Sequence, residues 1–208
     1  MIRIRKGDDM IINPYYDELK EKVLRANGYR RDIEEFETYQ RNNNFRENRF
    51  EYVARFAWAI PTEEIIRQIA KFSNNKIVEI GAGTGYWAWL FEQIGVTIHA
   101  YEKYLENNHY GHKIAYTKLL KGSPNILRKY NSNWALFLCW PPYSSPMAAR
   151  CLRRFAGNKL VYIGEGDYGC TGDNVFHEML DKQWKHIESI DIPQWSGLHD
   201  YVQLYERK

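Results

Sequence analysis

Three glycines and two carboxylates stand where they could hold a small polar ligand. The segment Val78-Glu-Ile-Gly-Ala-Gly-Thr-Gly85 puts Gly81, Gly83 and Gly85 directly after a β-rich run and directly before a helical one. Glycine reaches positive φ without strain, and with no side chain it lets backbone approach a ligand closely. The spacing is G-x-G-x-G, whereas a pyrophosphate seated on a helix N-terminus goes with G-x-G-x-x-G. Glu79 lies two positions before the first glycine, and Glu102 ends the next expected strand, 21 residues after Gly81. An acid about 20 residues beyond such a turn is placed to accept hydrogen bonds from ribose hydroxyls. Glycines alone fit a bare strand–turn–helix; turn, helix and acid together favour a nucleoside ligand.

A second set of residues follows the later strands. Trp134 to Cys139 reads as a fully buried strand stopped by Pro141-Pro142. Ligands of open α/β sheets sit beyond the carboxyl ends of the strands, so Leu138-Cys-Trp-Pro-Pro-Tyr143 is expected to line the same cleft. Trp140 and Tyr143 either wall off a flat or cationic substrate or pack in the core. The glycine-rich loop from Gly164 to Asp173 carries Glu165, Asp167 and Asp173, which could orient an amine or take a proton. Asp173 also fits the N-cap of a helix starting at Asn174, which leaves Glu165, nearer the strand end, as the stronger site residue. His199 beside Asp200 is either a tuned base or a structural hydrogen-bond pair. Cys170, Asp173 and His177 do not complete a set of four zinc ligands, so no metal is expected.

The elements that must position these groups divide into two regions. Pro14 to Ala26 and Asp32 to Tyr39 read as helices, with Tyr16, Leu19, Val23 and Leu24 at helical spacing in the first. The polar tract Gln40 to Asn48 reads as a loop. Glu51 to Ala59 reads as a short helix, and Pro61-Thr-Glu-Glu64 opens another. From Lys76 strands and helices alternate. Strands are expected at 77–80, 96–101, 114–120, 134–139 and 160–164, and helices at 86–93, 125–130, 146–155 and 174–184. The strands 186–192 and 201–207 close the chain as an antiparallel pair. Alternation of this kind implies a mostly parallel sheet covered on both faces. The expected organisation is a helical extension or cap over 1–60 and an α/β domain over 61–208.

The composition of the 208-residue chain, 44% hydrophobic and 26% charged, is that of an ordinary globular protein. A net charge of +3 does not indicate a nucleic-acid surface. The arginines at 30, 31, 41, 46, 49 and 55 interleave with acids and read as a solvated helical surface, with nucleic-acid contact as the other reading. Three cysteines at irregular spacing suit a reducing compartment. No apolar run approaches the length of a membrane span, and Met1 to Asp9 lacks the apolar core of a secretory signal. A cytoplasmic location is expected, or the host cell cytoplasm for a viral protein.

The segment 76–207 resembles a class I S-adenosylmethionine-dependent methyltransferase domain. Glu79-Ile-Gly-Ala-Gly-Thr-Gly85 resembles its motif I, and Trp140-Pro-Pro-Tyr143 resembles motif IV of amino-methyltransferases, in which Asp, Asn or Ser usually precedes the two prolines. Together with Gly164-Glu-Gly166, Gly169-Cys-Thr-Gly-Asp173 and Ile192-Pro-Gln-Trp195, these look like a methyltransferase-like group of unknown substrate with a WPPY variant of motif IV. The resemblance implies a Rossmann-like sheet of seven strands, mostly parallel, with a closing antiparallel hairpin and N-terminal helices. It implies S-adenosyl-L-methionine as cofactor, held by Glu79, Gly81, Gly83, Gly85, Glu102 and Cys139, with Ser123 in the place of an adenine contact. Trp140, Tyr143, Glu165 and His199 would face an unidentified methyl acceptor, which could be a small molecule, nucleic acid or protein. Indole donates a hydrogen bond but accepts none, so Trp140 argues against adenine N6 or cytosine N4 as the target. In related proteins the segment before motif I closes over cofactor; Trp58 either does so or packs a helix on the sheet, and Pro193 and Trp195 are expected to cap the cleft. The rival readings are an NAD-dependent oxidoreductase and a catalytically silent binding protein of the same fold.

Overall fold

The computed structural model describes residues 10–24, 45–106, 114–166, 169–195 and 197–208. Its centre is a seven-stranded sheet: β1 Lys76–Ile80, β2 Thr97–Glu102, β3 Leu120–Lys121, β4 Ala135–Cys139, β5 Lys159–Gly164, β6 Trp184–Asp191 and β7 Tyr201–Arg207. The strand order is β3-β2-β1-β4-β5-β7-β6. β1 to β5 pair in parallel, and β7 runs antiparallel between β5 and β6. This is the mostly parallel sheet with a closing antiparallel pair that the alternation of elements implies, in the seven-stranded Rossmann-like form that the resemblance implies.

Period-2 side chains divide the core between the two faces. Ile77, Phe137, Val161 and Ile163 pack on one side, against α3 (Glu63–Phe72) and α4 (Tyr86–Gln93). Val78, Leu136, Leu138, Leu160 and Tyr162 pack on the other, against α5 (Met147–Arg154) and α6 (Asn174–Gln183). α3 begins as its sequence dictates: Thr62 Oγ1 accepts from Ile65 N at 3.3 Å, and Ile65, Ile66 and Ile69 form its buried face.

The described N-terminal residues share this core. α1 (Pro14–Leu24) starts with Asn13, whose Oδ1 accepts from Tyr16 N, and Pro14 in its first turn. Tyr15 is fully buried and stacks on Phe56 at 4.9 Å. Its hydroxyl accepts from Trp195 Nε1 at 2.9 Å, so the closing loop and the N-terminal helix are tied together.

Four segments differ from expectation. α2 spans Phe45–Arg55, so residues 45–48 are helical where a loop was expected. Arginine and glutamate are good helix formers, and polarity alone does not break a helix. α2 also ends before Ala59: Thr84 Oγ1 donates to the Phe56 carbonyl, and Pro61 pulls Ile60 away from helical backbone. The expected strand 114–120 is reduced to Leu120–Lys121. Tyr116 N instead donates to Thr84 O at 2.9 Å, and its ring packs on Tyr86 at 4.7 Å, which carries this segment over the start of α4. The expected helix 125–130 is a 3-10 helix, Pro124–Lys129, and β6 begins at Trp184 with no loop after α6. The expected helix 32–39 and the end of α1 beyond Leu24 lie outside the described residues, as do Asp167 and the arginines at 30, 31 and 41. Among the described residues no helix is long and apolar enough to cross a membrane.

Candidate functional site

The sheet changes direction between β1 and β4. From β1 the chain moves outward through β2 to β3, then returns to lay β4 on the other side. The crevice beyond the carboxyl ends of strands at such a switch point is where open α/β sheets take ligands. A cavity of about 330 Å³ lies there. One wall is the glycine turn, through Gly81 and Gly83; Glu102 at the end of β2 forms the next, and Ser123 follows β3. Cys139 and Trp140 after β4, with Trp58 from the segment before α3, close the opposite side.

The glycine turn is held open by backbone hydrogen bonds. Gly81 N and Ala82 N both donate to Tyr101 O, at 2.8 and 3.1 Å. Gly81, Gly83 and Gly85 have φ of 81°, 58° and 72°, a region in which other residues are strained. Glu102 braces this geometry: one oxygen accepts from Gly83 N at 3.0 Å, the other from Lys103 N and Tyr104 N at 2.8 and 3.1 Å. Carboxylate and turn are thereby fixed on one cavity wall.

Glu79 sits behind that wall and is 2% exposed. Its Oε2 has no hydrogen-bond partner among the described residues. Burial, with the Glu102 charge nearby, raises its pKa from 4.5 to about 8. Cys139 lines the cavity, and its thiol is pushed well above the usual range by its apolar surroundings and by Glu79. An unpaired buried carboxyl beside a glycine turn is a place where a ligand cation would supply the missing donor.

Trp140 has a left-handed backbone, φ 51°, which is rare for a bulky residue and costs about 1–3 kcal/mol. The inverted backbone is held by Trp140 N donating to Ile163 O at 2.8 Å. The indole stacks on Trp58, with ring centres 5.2 Å apart and planes 16° from parallel. Its Nε1 donates to Asp200 Oδ2 at 2.9 Å. Asp200 is 1% exposed, and its other oxygen has no partner among the described residues. Burial raises its pKa to about 6, partly offset by the Trp140 hydrogen bond.

The remaining expected site residues, like Glu79, do not line the cavity. Gly85 starts α4, where its Cα faces Leu119. Tyr143 points outward and is 62% exposed. Glu165 braces two loops, its carboxylate accepting from Cys170 N at 2.9 Å and from His199 N at 3.1 Å. His199 is exposed; its neighbour Asp200 is the buried acid, a distinction invisible in the dipeptide. Trp195 is buried against Tyr52 and bonded to Tyr15, so it builds core and does not cap the cleft. Asp173 caps α6 by accepting from Phe176 N, and His177 Nε2 bonds Thr171 O at 2.8 Å, so both are engaged in structure. No group of three or more potential metal ligands occurs among the described residues.

Thr171 is a bracing residue that sequence patterns did not single out. It is fully buried, bonds Tyr162 Oη through Oγ1 at 2.6 Å, and accepts from Glu165 N at 2.8 Å. Through Gly172 N, which donates to Pro141 O at 2.7 Å, this loop is joined to the Trp-Pro-Pro segment.

No protein-family model and no curated protein matches the chain. Solved structures do resemble it. Magnesium protoporphyrin IX methyltransferase from Synechocystis, crystallised with bound SAM, is 11% identical over 98% of this chain and 88% of its own, with a TM-score of 0.48. The N-methyltransferase NodS from Bradyrhizobium japonicum is 11% identical over 70% of this chain and 94% of its own, also at 0.48. A SAM-dependent methyltransferase from Aquifex aeolicus is 13% identical over 68% and 87%, at 0.44.

Proposed function

We propose that this chain is an S-adenosylmethionine-dependent methyltransferase. The observation that carries the reading is a cavity whose wall joins the Gly81–Gly83 turn to the Glu102 carboxylate at the switch point of the sheet. The residues present fit that cofactor. Glu102 offers carboxylate oxygens to ribose hydroxyls, the glycine turn leaves backbone open to the amino-acid portion, and Glu79 Oε2 offers an unmet acceptor to an ammonium. Ser123 and Pro124 line the side on which a base would rest.

Bound S-adenosylmethionine supplies a methyl group on a sulfonium sulfur. What the chain contributes is alignment: the turn and Glu102 hold the donor, while Trp58 and Trp140 wall the acceptor side and exclude water. The bonds from Glu165 and Thr171 keep the two flanking loops in register with Trp140. Asp200 is the buried carboxyl nearest this wall by connectivity, and it is available to hold or take an acceptor proton.

Calorimetric titration with S-adenosylmethionine, S-adenosylhomocysteine and NAD tests the reading. Binding of both sulfur nucleosides without NAD supports it, and binding of NAD alone overturns it in favour of hydride transfer. Transfer of labelled methyl to a lysate, fractionated into nucleic acid, protein and small molecules, then separates an active enzyme from a silent binder.

A further inference from the structure

The acceptor wall already holds a cation belonging to the chain itself. The Arg49 guanidinium lies 5.1 Å from the ring centre of Trp58, 5.3 Å from that of Trp140 and 5.5 Å from that of Phe50. Two indoles stacked on each other and a third ring form an aromatic box around the guanidinium, which lies beside the stack, a setting suited to a flat, weakly hydrated cation. Acidic groups complete it: partial burial works against the Arg49 charge, and Asp200 and Glu165 are the carboxylates that offset this. Trp58 and Trp140 also line the cavity assigned to the methyl donor, so box and donor site share a wall.

The internal guanidinium fills this box incompletely. Among the described residues Arg49 Nε has no hydrogen-bond partner, and neither does Asp200 Oδ1, although the Asp200 side chain is buried at the edge of the Trp140 ring. Two complementary groups, an N–H donor and a carboxylate oxygen, thus remain unsatisfied in one site. Arg49 is tethered to α2, which restricts where its guanidinium can lie. A ligand free of that tether can place its N–H groups on Asp200 while its plane rests on the indoles.

We infer that the box formed by Trp58, Trp140 and Asp200 is the acceptor subsite for a guanidino compound, and that Arg49 occupies it until such an acceptor displaces it. The inference rests on the methyltransferase reading for its chemistry but not for its binding. In the transfer step a guanidino nitrogen forms a bond to the sulfonium methyl carbon, and the carbon–sulfur bond breaks with its electron pair left on sulfur. The nitrogen's proton passes to the Asp200 carboxylate and from there to solvent.

The test is binding of N-ethylguanidinium to the full chain without cofactor, read by quenching of tryptophan fluorescence and by calorimetry, with n-butylammonium as the round-cation control. Arg49→Ala is expected to bind N-ethylguanidinium at least tenfold more tightly than the wild type, and more tightly than n-butylammonium. The double variant Arg49→Ala/Asp200→Asn is expected to lose that gain. Arg49→Met, which retains an aliphatic stem, serves if Arg49→Ala does not fold. Equal affinity in wild type and the Arg49 variant overturns the inference, as does equal affinity for the two cations or a gain that survives Asp200→Asn. Titration of the same proteins with S-adenosylmethionine is read separately: its failure sinks the methyltransferase reading and leaves the guanidinium result standing.

Discussion

Replacing Glu79 by glutamine isolates the energetic consequence of an unpaired carboxyl behind the glycine turn. The folded protein holds the Glu79 proton up to about pH 8, because burial and the Glu102 charge oppose ionisation, whereas the unfolded chain releases it near 4.5. The raised pKa means that the folded state binds more protons throughout this window, so stability falls as pH rises from 4.5 to 8. At about 1.4 kcal/mol for each pH unit, the rise from pH 5.5 to 8 removes on the order of 3 kcal/mol. In a chain of this size that corresponds to a drop in Tm of roughly 10 °C. The substituted glutamine does not titrate; any penalty from its amide is constant with pH. The assay is thermal unfolding of wild type and Glu79→Gln at half-unit steps from about pH 5.5 to 8.5, a range that spans most of the window. The difference in Tm should move in favour of the variant by roughly 10 °C across the series. Parallel curves for the two proteins refute the argument, since Glu79 would then be titrating alike in folded and unfolded chains. The cofactor assignment adds a second readout. An ammonium placed on Glu79 favours its ionised form, so binding of S-adenosylmethionine at about pH 7 should release close to one proton in the wild type and none in Glu79→Gln. Calorimetry in buffers of different ionisation enthalpy measures this.

Three further outcomes follow from the same geometry. Glu102→Gln puts an amide nitrogen, which cannot accept, where a carboxylate oxygen now takes a backbone N–H; it should lower stability by about 1–3 kcal/mol in urea unfolding and weaken S-adenosylmethionine binding about tenfold in a titration. Thr171→Val leaves the Glu165 N–H without its partner and the Tyr162 hydroxyl with only the Thr171 carbonyl; it should lower stability by about 1–3 kcal/mol in urea unfolding and weaken acceptor binding more than cofactor binding. Trp195→Phe keeps an aromatic ring in the core but removes the donor to Tyr15 and part of the packing, and should cost about 2–3 kcal/mol by the same measurement while leaving cofactor affinity unchanged.

The centre of the sheet was legible because β1, β4 and β5 are buried on both faces and bounded by glycine and proline. Ile77–Ile80, the run before Pro141 and Leu160–Gly164 could hardly be read otherwise. The donor side of the site was legible for a related reason: a backbone-lined ligand site needs glycine at fixed spacing and an acid at the end of the following strand, and both constraints act within a short stretch of chain. The acceptor side was not, because its parts come from far apart. Trp58 meets Trp140 across 82 positions and Trp140 meets Asp200 across 60, and neither contact leaves a periodic trace. His199 and Asp200 illustrate the limit. Which of two adjacent polar residues turns inward depends on how β7 enters the sheet, and a dipeptide does not record that. Tyr116 shows the opposite failure, where a β-rich segment was drawn out of the sheet by an aromatic cluster on α4.

The tryptophan at position 140 is the residue that most separates this chain from the motif it resembles, and its surroundings bear on whether the chain is active. A hydrogen-bond acceptor before the two prolines is what the usual Asp, Asn or Ser offers, and an indole cannot provide one. Here the indole N–H is committed to Asp200, so a carboxylate stands at the ring edge, held there by that bond. On the proposed reading the polar function has not been lost; it has moved from residue 140 to residue 200, and the freed position carries an aromatic surface. The left-handed backbone at Trp140 supports this, because a strained φ at a bulky residue persists only where the surroundings hold it, and both the Ile163 carbonyl and Asp200 do so. If the tryptophan were only filling space, leucine should replace it with a modest loss of stability and no effect on ligand binding. If it anchors Asp200, Trp140→Leu should abolish acceptor binding while S-adenosylmethionine still binds within a fewfold of the wild type. Trp140→His, which restores a ring N–H donor, should recover part of the loss; undiminished acceptor binding in Trp140→Leu would reduce the residue to packing.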